Sequence, residues 1–120
     1  MTRLRVASAN VRSLRTEGRR KTFLDWVKGQ RFQICCLQET KLSPELTFDV
    51  PGYKTYFTEH GTMGGVGVLV DDSLQVVDSR KRKNVIRITL MAGQKKVTII
   101  TAYLHYRNQN NTHEDRSALY

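Results

Sequence analysis

The short apolar segment Phe32–Leu37 most constrains the fold, because Gln33 is the one polar side chain within it. A continuous apolar run of this length is typical of a strand that is buried on both faces of a sheet. A helical pattern precedes the segment: Thr16 or Glu17 can open a helix, and Gly29 is a stop signal near its end. The order therefore predicts an α/β sheet whose central strand follows a helix.

A first strand is predicted before the helix, since apolar and polar side chains alternate from Leu4 to about Asn10. The helix would bury an apolar stripe made of Phe23, Leu24, Trp26 and Val27. Strand, helix and strand of these lengths form a βαβ unit, whose two strands are parallel. Asn10 and Glu39 then follow the carboxyl ends of parallel strands, at the edge where open α/β sheets bind ligands.

After Glu39 the pattern becomes rich in strands and turns. Strands are predicted over Tyr53–Thr58, Val66–Val70, Asn84–Met91 and Val97–Leu104. Gly61–Gly67 is a glycine-rich turn, and Gly93-Gln94 closes a hairpin between the last two strands. Residues His113–Tyr120 predict a further helix at the end of the chain.

The charge of the chain indicates a polyanionic partner. Lys and Arg total 20 against 11 Asp and Glu, which gives a net charge of +9 and a pI near 9.9. Neutralising phosphates releases counterions, so an excess of this size favours nucleic-acid binding. The cations cluster at Arg19–Lys21, Arg80–Lys83 and Lys95–Lys96, although such runs also occur on ordinary solvated surfaces. With 120 residues and 39% hydrophobic content, residues 1–120 are expected to form one domain around a core.

The two cysteines, Cys35 and Cys36, are adjacent in the predicted central strand. Neighbouring residues of a strand point to opposite faces, so these thiols cannot share a metal or readily form a disulfide with each other. They are interpreted as buried thiols of a reducing compartment. No apolar run approaches the length of a membrane span, and the first residues lead directly into a strand. A nuclear or cytoplasmic protein with no membrane partner is expected.

Several segments carry a resemblance to a known family in the correct order. Leu4–Leu14 is similar to a first strand with an asparagine loop, Ile34–Leu42 to a hydrophobic strand followed by Gln-Glu-Thr, and Thr98–Tyr103 to a strand that ends in tyrosine. Pro51–Tyr53 and Gly64–Val68 resemble the turn and hairpin strand between them. By these motifs the chain resembles the N-terminal part of the endonuclease/exonuclease/phosphatase superfamily, and is most similar to the apurinic-like endonuclease domain of LINE (non-LTR) retrotransposons.

The resemblance implies both a fold and a site. The fold would be α/β, part of a two-sheet α/β sandwich of the DNase I type with mixed sheets and flanking helices. Glu39 would ligate Mg²⁺ (or Mn²⁺), Asn10 would help to order the metal or its water, and Tyr103 would place its phenol against the scissile phosphate. A single carboxylate beside an amide suits a hard cation that keeps several waters.

Other residues are assigned by the same resemblance. Gln38 would support the metal ligand, and DNA contacts would come from Arg12, Lys41 and Arg107. Taken alone, each residue has a plainer interpretation. A glutamate at a strand end is usually a surface acid, and a tyrosine there is usually packed with its hydroxyl in water. Only the ordered combination indicates a phosphodiesterase site.

The chain also departs from the family pattern. His105 and Tyr106 stand where the family usually has a proline and an asparagine after the tyrosine. The later Gly-Asp-x-Asn and Asp-His motifs do not occur, so no general base is assigned, and whether the chain alone is an active enzyme stays open. A shortened chain, a degenerate retrotransposon-derived gene, or a partner that supplies the C-terminal half would each explain this. A half-sandwich would also favour self-association.

Three alternative functions remain at this point. Sugar-phosphate and lipid phosphatases of the superfamily share the same metal chemistry, and abasic-site repair nucleases are the nearest enzymatic alternative. A non-catalytic DNA-binding remnant of an endonuclease is a different class of protein. The later motifs in any downstream sequence would favour an enzyme, and a reverse transcriptase beyond them would indicate a retrotransposon.

Overall fold

The computed structural model describes residues 3–42, 48–58 and 64–103. These residues form two sheets and a helix. In chain order the elements are β1 (Val6–Asn10), α1 (Glu17–Lys28), β2 (Ile34–Gln38), β3 (Tyr53–Phe57), β4 (Val66–Asp71), β5 (Gln75–Arg82), β6 (Val85–Ala92) and β7 (Lys95–Ala102). The first sheet has the strand order β1-β2-β4-β3, and the second has the order β5-β6-β7. The predicted α/β class with two sheets is confirmed.

The βαβ unit forms as its sequence pattern predicts. β1 and β2 pair in parallel, from Val6 beside Ile34 to Asn10 beside Gln38. The helix begins after Thr16, whose hydroxyl accepts a hydrogen bond from the Arg19 amide at 3.2 Å and so satisfies one of the unpaired amides of the first turn. The helix ends at Gly29. The crossover makes the two strands parallel, so their carboxyl ends lie side by side at one end of the sheet.

β2 is the central strand of the first sheet and contributes to two cores. Cys35 and Leu37 pack with the buried face of α1, whereas Ile34 and Cys36 pack against the second sheet. The predicted opposite orientation of the two cysteines is therefore confirmed. Burial raises the pKa of the Cys35 thiol to about 12 and also raises the pKa of Cys36, so both thiols stay protonated near neutral pH.

The second sheet is an antiparallel meander whose inner face carries the fully buried side chains of Ile86, Ile88 and Leu90. Its first strand, β5, is absent from the sequence-based expectation, which treats Arg80–Lys83 as a basic cluster. Most β5 side chains are exposed, and a bulge between Val76 and Asp78 interrupts its alternation. It is a strand because it pairs with β6. Its charged side chains are compatible with this position, because β5 is an edge strand of the second sheet and charged residues are common on exposed edges.

Smaller differences concern the ends of elements. β2 begins at Ile34 rather than Phe32, and β7 spans Lys95–Ala102 rather than Val97–Leu104. In β1, Val6 is 51% exposed, because Ala7 and Ala9 face the helix instead. The helix predicted over His113–Tyr120 lies outside the described residues. No helix in the described part of the chain is long and apolar enough to cross a membrane.

Candidate metal and phosphate site

Asn10 and Glu39 are in direct contact at the carboxyl ends of β1 and β2. The Asn10 Nδ2 atom donates a hydrogen bond to Glu39 Oε1 at 2.9 Å, and Asn10 Oδ1 accepts one from the Arg12 amide at 3.1 Å. Because a backbone amide can only donate, the Arg12 contact determines which way the Asn10 amide points. Asn10 therefore holds one carboxylate oxygen of Glu39 in a defined orientation.

The backbone of Glu39 explains how its side chain reaches Asn10. Strand alternation would place Glu39 on the helix face with Cys35 and Leu37, but its φ of 57° ends the alternation. A left-handed conformation costs a residue with a Cβ about 1–2 kcal/mol. Such strain is retained where the surrounding structure determines the conformation, as happens in ligand sites.

The two loops after β1 and β2 concentrate this strain. The described non-glycine residues with positive φ are Arg12, Ser13, Glu39, Lys41 and Asn84, and the first four belong to these two loops. Backbone hydrogen bonds join the loops, from Val11 to the Gln38 carbonyl at 3.0 Å and from Leu14 to the Thr40 carbonyl at 2.8 Å. Leu14 and Thr40 are buried, so the loops form one packed unit.

The start of β4 supports the Glu39 loop from its other side. The Thr40 amide donates to the Gly65 carbonyl at 3.2 Å, and the Lys41 amide donates to the Gly64 carbonyl at 2.9 Å. Gly64 has a φ of 76° and Gly65 has a φ of 87°, which a residue without a Cβ adopts readily. The carbonyls that hold the Glu39 loop therefore depend on glycine at these positions.

Tyr103 lies next to this glycine segment. A Cβ added at Gly64 would lie 3.1 Å from the Tyr103 ring carbon Cδ2, so the ring packs against the Gly64 backbone. The Tyr103 amide donates to the Asn84 carbonyl at 2.9 Å, and the Asn84 side chain accepts from the Gly65 amide at 2.8 Å. The structure thus brings Tyr103 to the sheet edge that carries Glu39.

The site residues predicted from sequence fall into three groups. Asn10 and Glu39 are in contact, and Tyr103 is connected to the Glu39 loop through Gly64. Gln38 has different partners: its Nε2 donates to Ser8 Oγ at 3.0 Å and to the Cys36 carbonyl at 3.2 Å. Its connection to the Asn10–Glu39 pair runs through the backbone.

The predicted DNA contacts are only partly within the described chain. Arg12 is exposed and Lys41 is half-buried, and they lie in the loops that follow β1 and β2. Arg107 lies outside the described residues, as do His105 and Tyr106. The role of Asn84 is missing from the sequence-based assignment. Its one sequence signal is that asparagine tolerates the left-handed conformation of a tight turn.

The donor set fits a hard divalent cation held mainly by water and substrate. Within residues 3–42, 48–58 and 64–103, no cluster of three His, Cys, Asp or Glu side chains could enclose a metal. Mg²⁺ commonly binds through one or two carboxylates together with waters and phosphate oxygens. The Glu39 carboxylate, oriented by the Asn10 amide, is suited to that kind of binding.

Comparison with known proteins gives the family. The profile of the Endonuclease/Exonuclease/phosphatase family matches residues 7–114. The structure is similar to the 3′ phosphatase NExo from Neisseria bound to product DNA hairpin (TM-score 0.64, 19% identity, 84% of this chain and 41% of that chain). It is also similar to an AP endonuclease from Archaeoglobus fulgidus (TM-score 0.60, 21% identity, 84% and 41%).

A third similar structure is truncated TDP2 from Caenorhabditis elegans (TM-score 0.62, 20% identity, 95% of this chain and 49% of that chain). At these identities the likeness shows a shared fold, and the chain spans less than half the length of each of the three proteins. The family profile, in contrast, matches nearly the whole sequence. The chain therefore belongs to the endonuclease/exonuclease/phosphatase family.

Proposed function

We propose that this chain carries the Glu39 side of a metal-dependent phosphodiesterase site, in a DNA-nicking endonuclease of the LINE retrotransposon kind. The observation that carries the proposal is the Asn10–Glu39 hydrogen bond, made at 2.9 Å where two parallel strands end and two strained loops begin. An orienting partner for a carboxylate is characteristic of metal ligands. The family match and the three similar structures support hydrolysis of phosphate esters.

Each residue has a defined task in this proposal. A bound Mg²⁺ or Mn²⁺ would neutralise charge that develops on the phosphate oxygens. Glu39 would supply the anionic ligand, and Asn10 would keep the carboxylate directed at the cation. Tyr103 would donate its phenol proton in a hydrogen bond to a phosphate oxygen. The chain lacks the Gly-Asp-x-Asn and Asp-His motifs, so we assign it no part in removing a proton from water.

DNA is the proposed substrate because the chain has a large positive net charge and because two of its cations lie next to the candidate site. The net charge of +9 favours a polyanion, and Arg12 and Lys41 place cations in the two loops that carry Asn10 and Glu39. Among the similar structures, NExo is bound to a DNA hairpin. The LINE assignment rests on the resemblance of the Asn10–Leu14 and Arg107–Asn110 segments to loops of those endonucleases.

Repair of abasic sites is the second candidate, because an AP endonuclease has a similar fold. Three substrates separate the possibilities: supercoiled plasmid, a duplex with one abasic site, and a duplex with a 3′ phosphate. Each would be incubated with Mg²⁺, with Mn²⁺ and with EDTA, using both this chain and a form extended beyond residue 120. We expect metal-dependent nicking of the plasmid by the extended form and little by the 120-residue chain.

Each other outcome identifies an alternative. Cleavage confined to the abasic duplex would favour the repair nuclease, and release of the 3′ phosphate alone would favour a phosphatase. DNA binding without turnover by the extended form would favour a non-catalytic remnant. Metal binding is measured separately, by the line broadening that Mn²⁺ causes in the amide NMR signals of residues near Glu39. Absence of that broadening would contradict the metal site.

A further inference from the structure

Asn84 makes two hydrogen bonds that connect separate segments of the chain near the candidate site. It lies in the turn between β5 and β6, with a φ of 59°. Its side-chain Oδ1 accepts from the Gly65 amide at 2.8 Å, and its backbone carbonyl accepts from the Tyr103 amide at 2.9 Å. One residue of the second sheet therefore contacts both the start of β4 and the end of β7.

The connection continues to the candidate metal ligand. Gly65 and its neighbour Gly64 accept hydrogen bonds from the amides of Thr40 and Lys41, which directly follow Glu39. Asn84 is thus two hydrogen bonds away from the loop that turns the Glu39 carboxylate toward Asn10. The packing is close as well, because a Cβ at Gly64 would lie 3.1 Å from Asn84 Oδ1.

The geometry of the turn does not by itself explain why residue 84 is an asparagine. A left-handed turn position is satisfied by glycine, and Gly93 with a φ of 65° serves this purpose in the turn between β6 and β7, at the opposite end of the sheet. Glycine has no side-chain acceptor, so it would leave the backbone N–H of the buried Gly65 without this hydrogen bond. Asparagine supplies the acceptor and also tolerates the backbone conformation.

We propose that Asn84 is a positioning residue that sets the location of Tyr103 relative to the Glu39 loop. It acts through Gly65 and through the Tyr103 backbone and does not touch the substrate. The expected effect of Asn84 on catalysis rests on the proposed function. Its effect on the position of Tyr103 relative to the Glu39 loop can be measured without any activity. Glu39 follows β2 of the first sheet and Tyr103 follows β7 of the second sheet. Asn84 is hydrogen-bonded both to the Tyr103 amide and to Gly65, whose carbonyl accepts from the Glu39 loop.

The test uses Asn84→Gly, which retains the positive φ and removes only the acceptor. In the form of the protein that cleaves DNA, we expect kcat to fall about 10- to 100-fold, the usual effect of losing a residue that orients a ligand. KM should change less than about threefold, since ground-state DNA binding does not involve Asn84. Asn84→Asp keeps the acceptor, so its kcat should lie within about threefold of that of the unchanged protein.

The matched control is Gln94→Gly, which changes an exposed polar residue in the turn at the opposite end of the sheet. Amide NMR spectra are recorded for all variants. Asn84→Gly should shift the Gly65 and Tyr103 signals, Asn84→Asp should shift them less, and Gln94→Gly should leave them in place. Unchanged Gly65 and Tyr103 signals in Asn84→Gly, or equal kinetic effects of Asn84→Gly and Gln94→Gly, would overturn the inference.

The proposed function and the Asn84 role fail in different ways. If the unchanged protein cleaves no phosphodiester with any metal, the proposed function is wrong, and the NMR shifts still decide whether Asn84 positions Tyr103. If cleavage depends on Glu39 but Asn84→Gly cleaves normally, only the Asn84 role is wrong. A thermal melt of each variant identifies a loss of activity that comes from unfolding.

Discussion

At the scale of single residues, the site depends on conformations that most side chains avoid. Glu39 has a φ of 57°, and the same loop contains Lys41 with a φ of 53°. The strain at Glu39 places its carboxylate beside Asn10 rather than among the apolar side chains of the helix face. The proposed metal-ligand role of the carboxylate would explain why glycine, the residue with least strain, does not occupy this position.

Glu39→Gln tests this requirement. Glutamine has nearly the same shape and keeps an oxygen that can accept from Asn10, so the fold should be retained. Loss of the charge removes the anionic ligand that a hard cation requires, and nicking by a form extended beyond residue 120 should fall by about 10³-fold or more. Binding to duplex DNA should change by less than about threefold, because it depends on lysine and arginine.

The control for this substitution is Glu17→Gln in the first turn of α1, which removes the same charge from an exposed position away from β2. In the form extended beyond residue 120, the Glu17→Gln variant should nick DNA at the same rate as the unchanged protein. Plasmid nicking and a DNA-binding titration are measured on both variants. Full nicking by Glu39→Gln would refute the metal-ligand role, and robust nicking by the 120-residue chain would refute the view that it holds only part of the site.

At the scale of elements, β4 connects the interior of the fold to the site edge. It pairs with β2 on one side and β3 on the other, and residues Val66–Val70 are buried. Within it, Gly67 lies beside Phe57 of β3, and the Phe57 ring covers the space where a side chain would be. The same strand begins with the glycines that hold the Glu39 loop.

Gly67→Ala is expected to destabilise the protein through this contact. A Cβ there would lie 2.5 Å from two carbons of the Phe57 ring, and that ring also packs against Phe48. Displacing it should lower the free energy of unfolding by about 1–3 kcal/mol, the usual cost of overpacking. Gly18→Ala is the matched control, because its Cβ would meet nothing within 4 Å and should stabilise α1 by up to about 1 kcal/mol.

Urea unfolding followed by circular dichroism measures both variants. The expectation is that the two alanines change the midpoint in opposite directions. If Gly67→Ala unfolded at the same urea concentration as the unchanged protein, the Phe57 ring would not be held over β4 as described.

At the scale of the whole molecule, the net charge is the feature on which the proposed binding to DNA depends. The excess of 20 basic over 11 acidic residues gives +9, while the structure forms only two surface ion pairs within its described residues, both to Asp78. Most cations of the described residues therefore have no carboxylate partner and are available to a polyanion. Such binding is electrostatic and has little sequence preference, because phosphate contacts do not distinguish bases.

The expected result is weak binding to duplex DNA that decreases steeply with salt. If about three phosphates are neutralised, the logarithmic slope is about −2.7, so a fourfold rise in salt should weaken binding about 40-fold. Fluorescence anisotropy with two unrelated duplexes, each at several salt concentrations, measures both the slope and the preference. An affinity that stayed constant as salt rose would contradict the electrostatic account.

The sequence by itself determined the βαβ unit, the central buried strand, the opposite orientation of the cysteines, and the motifs that indicate the family. These features depend on local periodicity and on short-range signals such as the Thr16 cap and the Gly29 stop. Only the tertiary structure showed that β5 is a strand. Its side chains are mostly exposed and a bulge interrupts their alternation, so the strand is recognised only by its pairing with β6.

The assembly of the site was also decided by the tertiary structure. Asn10 and Glu39 are separated by 29 positions in sequence, and their contact requires the crossover and the left-handed turn at Glu39. The role of Asn84 was not visible in the sequence, because a turn asparagine looks the same whether or not its side chain has a partner. Its partners, Gly65 and Tyr103, come from distant parts of the chain and meet only when the two sheets pack.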